Sequence, residues 1–381
     1  MTKELFKKFT WILEDDIREV SNLLRTNNLS GFLATEGSEH FGGTEVRKLE
    51  SDWVSFEGVN FAVSFNSWTS GLEASLQSLN LPLGSEVITT PWTMSATTAV
   101  IVNSGLIPRF VDIRMEDFNI DVHKVEAAIS SNTSAILAVD IFGYPCDSPS
   151  LREICNQFDL KLVIDSAQTP LARISGHKPS KFADVSGYSF NRHKHLQCGE
   201  GGIAVTNHPQ IHKNLTALRN HAEIGYPNQS KPLQGRNLRF GEIEANLIRK
   251  QLSRISYLVD CRRRAAKSLM SILKDTFLEF PEVQFNIDHD YYILGMKLPI
   301  DYGSSRRKAL TNSLNAKEIP GVLEKYVVTH RLDSFKDYHT GKLMNAESLQ
   351  DQIFFGIYMC GVDWTDKAIE FTADSIKKSL N

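Results

Sequence analysis

The 381-residue chain lacks most of what would place it in a special class. No apolar run approaches the roughly 20 residues needed to span a bilayer. Neither sign of charge dominates: 42 Lys+Arg stand against 45 Asp+Glu, a formal net charge of −3, so no basic field argues for nucleic acid or an anionic membrane as partner. The five cysteines (Cys146, Cys155, Cys198, Cys261 and Cys360) are odd in number and lack C-x-x-C spacing. That pattern favours reduced thiols in the cytoplasm over a disulfide framework or a metal site. The first residues, MTKELFKKFTWILEDDIREV, carry acids where a signal peptide would carry its apolar core. Neither G-x-G-x-x-G nor G-x-x-x-x-G-K-S/T follows the first predicted strand, which removes the usual nucleotide-binding motifs. The chain has no internal repeat and no low-complexity segment. A soluble, cytoplasmic protein is expected, with neither metal nor membrane nor nucleic acid as partner.

What is present is ample core material, 41% hydrophobic residues against 23% charged. The length exceeds one ordinary core, so residues 1–250 are expected to form a large domain with an N-terminal helical segment, and 251–381 a smaller C-terminal α+β domain. Residues 13–28 place Ile17, Val20, Leu23 and Leu24 on one helical face, which NNLSG ends. From residue 59 short apolar runs alternate with helical stretches: FAVSF (61–65), EVITT (86–90), PRFVDI (108–113), SAILAVDIF (134–142), KLVID (161–165), VSGYSF (185–190) and GIAVT (202–206). Their near-continuous apolarity predicts strands covered on both faces, hence an α/β fold with a mostly parallel seven-stranded sheet. The last two lack a helix between them and are expected to pair antiparallel. Residues 222–241 form a long polar loop, 242–273 read as one long helical stretch, and 291–299 as a strand of the smaller domain, with a helix near 306–315.

Ligands of open α/β sheets bind beyond the carboxyl ends of the strands. Three such ends carry chemistry here. After 61–65 comes NSWTSGLEASL, hydroxylated residues opening a helix whose free N–H groups suit a phosphate. After 161–165 comes DSAQTP, with an aspartate that burial penalises unless a cation faces it. After 185–190 comes FNRHKHLQCGEGG, where Arg192, His193, Lys194 and His195 crowd one turn. Taken singly, these are more often a helix cap, a capped or paired aspartate and a solvated basic turn. Together they are what pyridoxal 5'-phosphate (PLP) requires: donors for the phosphate, a carboxylate for the pyridinium nitrogen and a lysine for the aldehyde.

These pieces, with PWTMSATTAVIVNSGLIPRFVDI and GRNLRFGEIEANLIRKQL, occur in an order that resembles the DegT/DnrJ/EryC/StrS family. Its members are PLP-dependent sugar and aminocyclitol aminotransferases of the aspartate-aminotransferase fold, fold type I. The resemblance runs from about residue 30 to 255 and weakens afterward. It implies Lys194 as the Schiff-base lysine, five residues before Gly199 of GEGG, and Asp165 as the pyridinium partner. Gln168 is implied near the cofactor's phenolic oxygen. Ser67, Trp68 and Thr69 are implied at the phosphate, with a further hydroxyl from Ser189. Asn237 of GRNLR would reach the phosphate of a neighbouring subunit, making the enzyme a homodimer with composite sites; Arg239 is the pattern's other polar member.

Three departures stand out. Met94 occupies the position of the family's stacking aromatic, with Trp92 two residues earlier; Trp68 replaces a glycine; and Asp140 replaces the histidine of an H-x-x-G segment. The activity implied is transfer of an amino group from L-glutamate to a keto-sugar, foremost a nucleotide-linked keto-deoxysugar, in polysaccharide or glycoside biosynthesis. A keto-cyclitol or oxidised sugar acid as acceptor is the alternative within transamination. Sugar dehydration requires a histidine in place of the lysine, but His193 and His195 only flank Lys194. A non-catalytic protein on this fold is the remaining alternative, and such a protein has no need of Lys194, Asp165 and Gln168 together. Lys194 must be neutral to act as a base, and desolvation beside Arg192 and the two histidines is expected to favour that form.

Overall fold

In the computed structural model, which describes residues 2–223, 233–339 and 341–380, the apolar runs become strands within three residues of their predicted bounds. They are β1 Phe61–Phe65, β2 Glu86–Thr89, β3 Ile107–Phe110, β4 Thr133–Val139, β5 Lys161–Asp165, β7 Val185–Ser189 and β8 Gly202–Thr206, with the two-residue β6 (Arg173–Ile174) outside their sheet. The order is β1-β8-β7-β5-β4-β2-β3. β2, β3, β4, β5 and β7 pair in parallel, while β8 runs antiparallel to both neighbours, β1 and β7. Six strands therefore share one direction, and their carboxyl ends lie along one edge.

The strands are apolar throughout because both faces are covered. Val63, Leu137 and Val163 pack with Leu72 and Leu76 of the helix Trp68–Ser78. Ile136, Leu162 and Ile164 pack with Leu151 and Ile154 of the helix Ser148–Phe158 on the other face. Alternate residues of one strand thus enter different cores, as the period of two demands.

A second core gathers residues 265–380. β10 (Ile293–Lys297), β12 (Phe354–Tyr358) and β11 (Val322–Leu323) form an antiparallel sheet, while β9 (Ile287–Asp288) pairs with β6. Helices Ile255–Leu273, Ser304–Ala316 and Asp366–Leu380 pack on it through Leu269, Leu314 and Ile376. The chain's start spans both cores: Phe6 meets Trp364 and Phe371 edge-on in this one, while Phe9, whose N donates to Gly361 O at 3.1 Å, packs its ring with Val46, Leu49 and Trp53 of the larger domain. No helix among the described residues is long and apolar enough to cross a membrane.

Two expectations need correction. The N-terminal helix covers Glu14–Arg25, but Ile17 and Leu24 are 47% and 46% exposed, and its fully buried member is Asp16. Asp16 accepts from Leu13 N at 2.9 Å and is clamped by Arg254. That clamp accompanies the second difference: 242–273 is two helices, Glu242–Leu252 and Ile255–Leu273, with Arg254 non-helical between them. Its guanidinium also donates to Trp11 O at 2.5 Å. A break in backbone helicity thus lets one arginine tie residues 11–16 to the junction.

Arg254 holds the Asp16 carboxyl below its ordinary value against the opposing effect of burial. A lowered folded value means the pair's contribution is present above the unfolded value near 3.8 and is lost as pH falls through the folded one. Asp16→Ala is expected to cost about 2–3 kcal/mol, the lower range for a broken ion pair because Arg254 retains some contact with water. Urea unfolding at pH 7 measures it, and the difference from wild type should shrink at pH 3.

Candidate active site

Asp165 ends β5 at the carboxyl edge and is buried. Its Oδ1 accepts from Trp68 Nε1 at 2.7 Å and Ala167 N at 3.2 Å, and its Oδ2 from Thr97 Oγ1 at 3.3 Å. Burial pushes the carboxyl above its ordinary value; the Trp68 hydrogen bond, the Lys194 charge and the other donors oppose that rise.

Lys194 sits at the tip of the connection between β7 and β8. The connection is a narrowing turn: Phe190 N bonds Gly201 O at 2.9 Å, Arg192 N bonds Gly199 O at 2.9 Å, and Lys194 N closes onto Asn191 O at 2.8 Å. Gly199 and Gly201 have φ of 95° and 156°, and a Cβ at Gly201 would stand 2.5 Å from the Phe240 ring, which is why the turn reads GEGG. The Lys194 ammonium lies 4.5 Å from the centroid of the Tyr292 ring. Burial lowers its pKa from 10.5 to about 8, against a smaller opposing pull from Asp165.

The expected help from Arg192 and the histidines is absent. Arg192 is exposed and turns its Nε to His193 Nε2 at 3.2 Å. His195 points into the core, its Nδ1 3.7 Å from Cys360 Sγ, and burial holds its pKa well below the ordinary value, so it stays neutral. Desolvation is therefore what favours the neutral amine. Capture of PLP by the cofactor-free protein should accelerate about tenfold per pH unit below roughly pH 8 and level off above it. Stopped-flow absorbance reads this profile, and Arg192→Ala should leave its midpoint in place.

The remaining predicted residues take the following places. Ser67 caps the helix Trp68–Ser78, its Oγ accepting from Ser70 N at 3.0 Å, and Thr69 is exposed in the first turn. Trp68 sends its indole inward. Ser189 is half-buried at the end of β7, with Asn191 N donating to its hydroxyl at 3.3 Å. Gln168 Oε1 accepts from Phe142 N at 2.7 Å, which fixes the amide so that Nε2 is its outward donor, 3.5 Å from the Tyr326 hydroxyl.

Trp92 is fully enclosed by Phe142, Tyr326 and Phe354, whereas Met94 is 58% exposed at the cap of the helix carrying Thr97. Asn237 is exposed, bridged to Asn220, and its neighbour Leu238 accepts from Asn66 N at 3.0 Å at the end of β1. Arg239 donates to Asn220 Oδ1 at 2.8 Å. Of the long polar loop, residues 224–232 lie outside the described residues. Asp140 is a buried bracket, accepting from Ser166 Oγ, Thr169 Oγ1 and Cys146 N at 2.7, 3.0 and 2.8 Å, and thereby shaping the loop that carries Gln168.

A desolvated amine beside a buried, donor-fixed carboxylate, next to a hydroxyl-capped helix start, is a donor set that fits the aldehyde, ring nitrogen and phosphate of PLP. The profile of the DegT/DnrJ/EryC1/StrS aminotransferase family matches residues 26–358. The chain belongs to that family. This aminotransferase is PLP-dependent and has the family's α/β fold. It is 28% identical over 312 residues to the UDP-N-acetyl-3-dehydro-alpha-D-glucosamine 3-aminotransferase of Acidithiobacillus ferrooxidans, covering 82% of each chain. It is 31% identical over 264 residues to the dTDP-3-amino-3,4,6-trideoxy-alpha-D-glucose transaminase of Micromonospora megalomicea subsp. nigra, covering 68% of this chain and 70% of that one. Among solved structures, Helicobacter pylori PseC, an aminotransferase involved in the biosynthesis of pseudoaminic acid, superposes with a TM-score of 0.87 at 24% identity, covering 98% and 99% of the two chains.

Sequence reasoning missed a group of tyrosines from the C-terminal region. Tyr292 and Tyr358 share a short hydroxyl contact, and Tyr358 donates to His193 O at 2.9 Å, bracing the peptide before Lys194. Tyr326 packs on Trp92 and Phe142. Burial raises the Tyr326 pKa to about 12, so its hydroxyl stays a donor. Nothing local in YYILGM, EKYVV or IYMCG distinguishes these from core tyrosines; only the tertiary fold brings them to the lysine.

Proposed function

We propose that the aminotransferase moves the amino group of L-glutamate to a nucleotide-linked keto-deoxysugar, in the synthesis of a surface polysaccharide or glycoside. The observation that carries this reading is the pairing of a desolvated Lys194 with Asp165 at the carboxyl edge of the sheet. The acceptor class rests on the relatives, which are named for UDP- and dTDP-linked amino sugars. When bound, PLP supplies an electron sink and carries the amino group between the two substrates. Lys194 would hold the aldehyde, and its Nζ would move the proton. Asp165 keeps a proton on the ring nitrogen. Gln168 Nε2 donates toward the phenolic oxygen. Ser67, Thr69, the Trp68 N–H and Ser189 would hold the phosphate, and Met94, which is exposed where Trp92 is enclosed, would be the side chain available to the ring.

The active form in this reading is a homodimer whose composite sites include Asn237 of the other subunit. An exposed Asn237 and half-exposed Ile17, Leu24, Leu29, Leu33 and Phe41 support it. The division falls near residue 250, with 1–250 the cofactor domain and 251–381 the smaller one, except that Phe6 packs with the smaller core and Ile255, Leu258 and Val259 with the larger. All five cysteines are unpaired, in keeping with a cytoplasmic enzyme. A lysine at 194, with His195 turned into the core, favours transamination over dehydration.

The test is an incubation with L-glutamate, PLP and a panel of nucleotide-linked 3-keto and 4-keto sugars, keto-cyclitols and oxidised sugar acids, with amine gain read by mass spectrometry. Gain confined to the nucleotide-linked sugars is the expected result. Gain confined to a cyclitol or sugar acid would replace the acceptor class proposed here.

A further inference from the structure

Trp68 stands at the start of a helix where a small residue would suffice, and the fold makes room for it at three places. A Cβ on Gly187 of β7 would stand 2.1 Å from the indole Cη2, one on Gly202 of β8 2.5 Å from the Trp68 Cα, and one on Gly71 2.9 Å from its Cε3. Gly187 on β7 and Gly71 on the helix itself therefore form a slot that accepts the indole and no added carbon, while Gly202 on β8 lets the Trp68 backbone come close to the sheet. The ring is buried and close-packed against these glycines.

The slot aims the ring at one atom. Trp68 Nε1 donates to Asp165 Oδ1 at 2.7 Å, and Ala167 N adds a second bond to the same oxygen at 3.2 Å. Among the described residues Oδ2 receives only Thr97 Oγ1 at 3.3 Å, a hydroxyl that is also 2.9 Å from Thr93 Oγ1. The two oxygens are thus unequal. Oδ1 is saturated by two N–H donors that cannot swing away, while Oδ2 keeps accepting capacity.

We propose that Trp68 is a positioning residue for the cofactor: its indole N–H locks the Asp165 carboxylate so that Oδ2 is the oxygen presented to the cofactor's ring nitrogen. This rests on the assignment of Asp165 to that nitrogen made above. An indole is suited to the task because it donates and never accepts, so it favours the ionised carboxylate over the protonated one. The hydrogen bond from Trp68 is in fact the largest influence opposing the effect of burial on Asp165. Without it, Oδ1 would keep one N–H donor and the carboxylate could rotate or take up a proton, leaving the ring nitrogen less firmly protonated.

The discriminating variant is Trp68→Phe, which keeps a ring in the slot and removes the donor. The holoenzyme is prepared with PLP labelled with 15N in the ring, and the nitrogen chemical shift is followed with pH. In wild type the shift should stay at the protonated value across pH 6–9. In Trp68→Phe it should move toward the neutral value within that range, and the dissociation constant for PLP should rise roughly tenfold. A Trp68→Phe protein that binds PLP as wild type does and keeps the protonated shift overturns the proposal. Asp165→Asn is measured alongside: if it too leaves the shift unchanged, the assignment of Asp165 itself fails, a different outcome from failure of Trp68 alone.

Should Trp68→Phe not fold, the indole N–H signals of Asp165→Asn and wild type are compared. Movement of the Trp68 signal by the exchange at 165 supports the lock, and an unmoved signal overturns it.

Discussion

Replacing Lys194 with alanine is expected to reduce amino transfer by at least about 10⁴-fold, because in the proposed mechanism one substitution removes both the nucleophile that bonds the aldehyde and the base that moves the proton. The loss should fall on kcat and not on folding. Lys194 lies at the tip of a turn held by backbone bonds from Phe190, Arg192 and the residue's own N–H, and a truncated side chain leaves these in place. Among the described residues, its ammonium gives up its place at the face of Tyr292 and its electrostatic attraction to Asp165. The protein should therefore purify folded, lose the visible absorbance of the lysine-bound cofactor, and regain a small fraction of the rate when a small primary amine is added. A variant retaining a tenth of wild-type turnover would remove Lys194 from the chemistry.

The second large effect is expected at Asp165. Asparagine keeps the shape and can still accept from Trp68 Nε1 and Ala167 N through Oδ1, while its amide can donate to the Thr97 hydroxyl. It cannot hold a proton on a ring nitrogen electrostatically. Turnover should fall by about 10³-fold, as expected for loss of a preorganised charge in a desolvated site. Stability should not fall with it. Burial raises the Asp165 carboxyl above its ordinary value, so the folded state carries a charging cost that is present above the raised value and relieved as pH falls through it. Asp165→Asn removes that cost, and the thermal midpoint of the cofactor-free protein at pH 7 should match or exceed wild type. Calorimetry and initial rates on the same preparation separate the two effects.

The seven strands of the large sheet were readable because a strand covered on both faces has to be apolar at nearly every position, and runs such as KLVID and SAILAVDIF could hardly be anything else. The antiparallel return of β8 was readable too, since no helix separates it from β7. The insertion of β8 between β1 and β7 was not readable. Strand order depends on which helices cover which face, and the local pattern does not encode it. The failure at residues 13–28 has a similar origin. Periodicity picked out Ile17 and Leu24, yet in this chain the helix is held through Asp16 and Arg254, a polar clamp between residues 238 apart.

At the site, the strand-end rule found Asp165, Lys194 and the hydroxylated helix start from residue type and order alone, whereas the partners that tune them came from elsewhere in the fold. Trp68 read as a departure, a bulky residue in place of a glycine at the phosphate; in three dimensions its backbone opens the helix and its indole turns away to Asp165. The lowered pKa of Lys194 was anticipated, but for an incomplete reason. Burial dominates, and the neighbouring cation Arg192 points out to solvent.

The central claim is that Lys194 and Asp165 form the working pair of a PLP-dependent aminotransferase. Its most direct test is an absorbance spectrum of the purified protein with added PLP, recorded before and after excess L-glutamate. The expected result is a visible band that requires Lys194 and gives way to a near-ultraviolet band when glutamate is added. A protein with Lys194 intact that develops no visible band with PLP would contradict it.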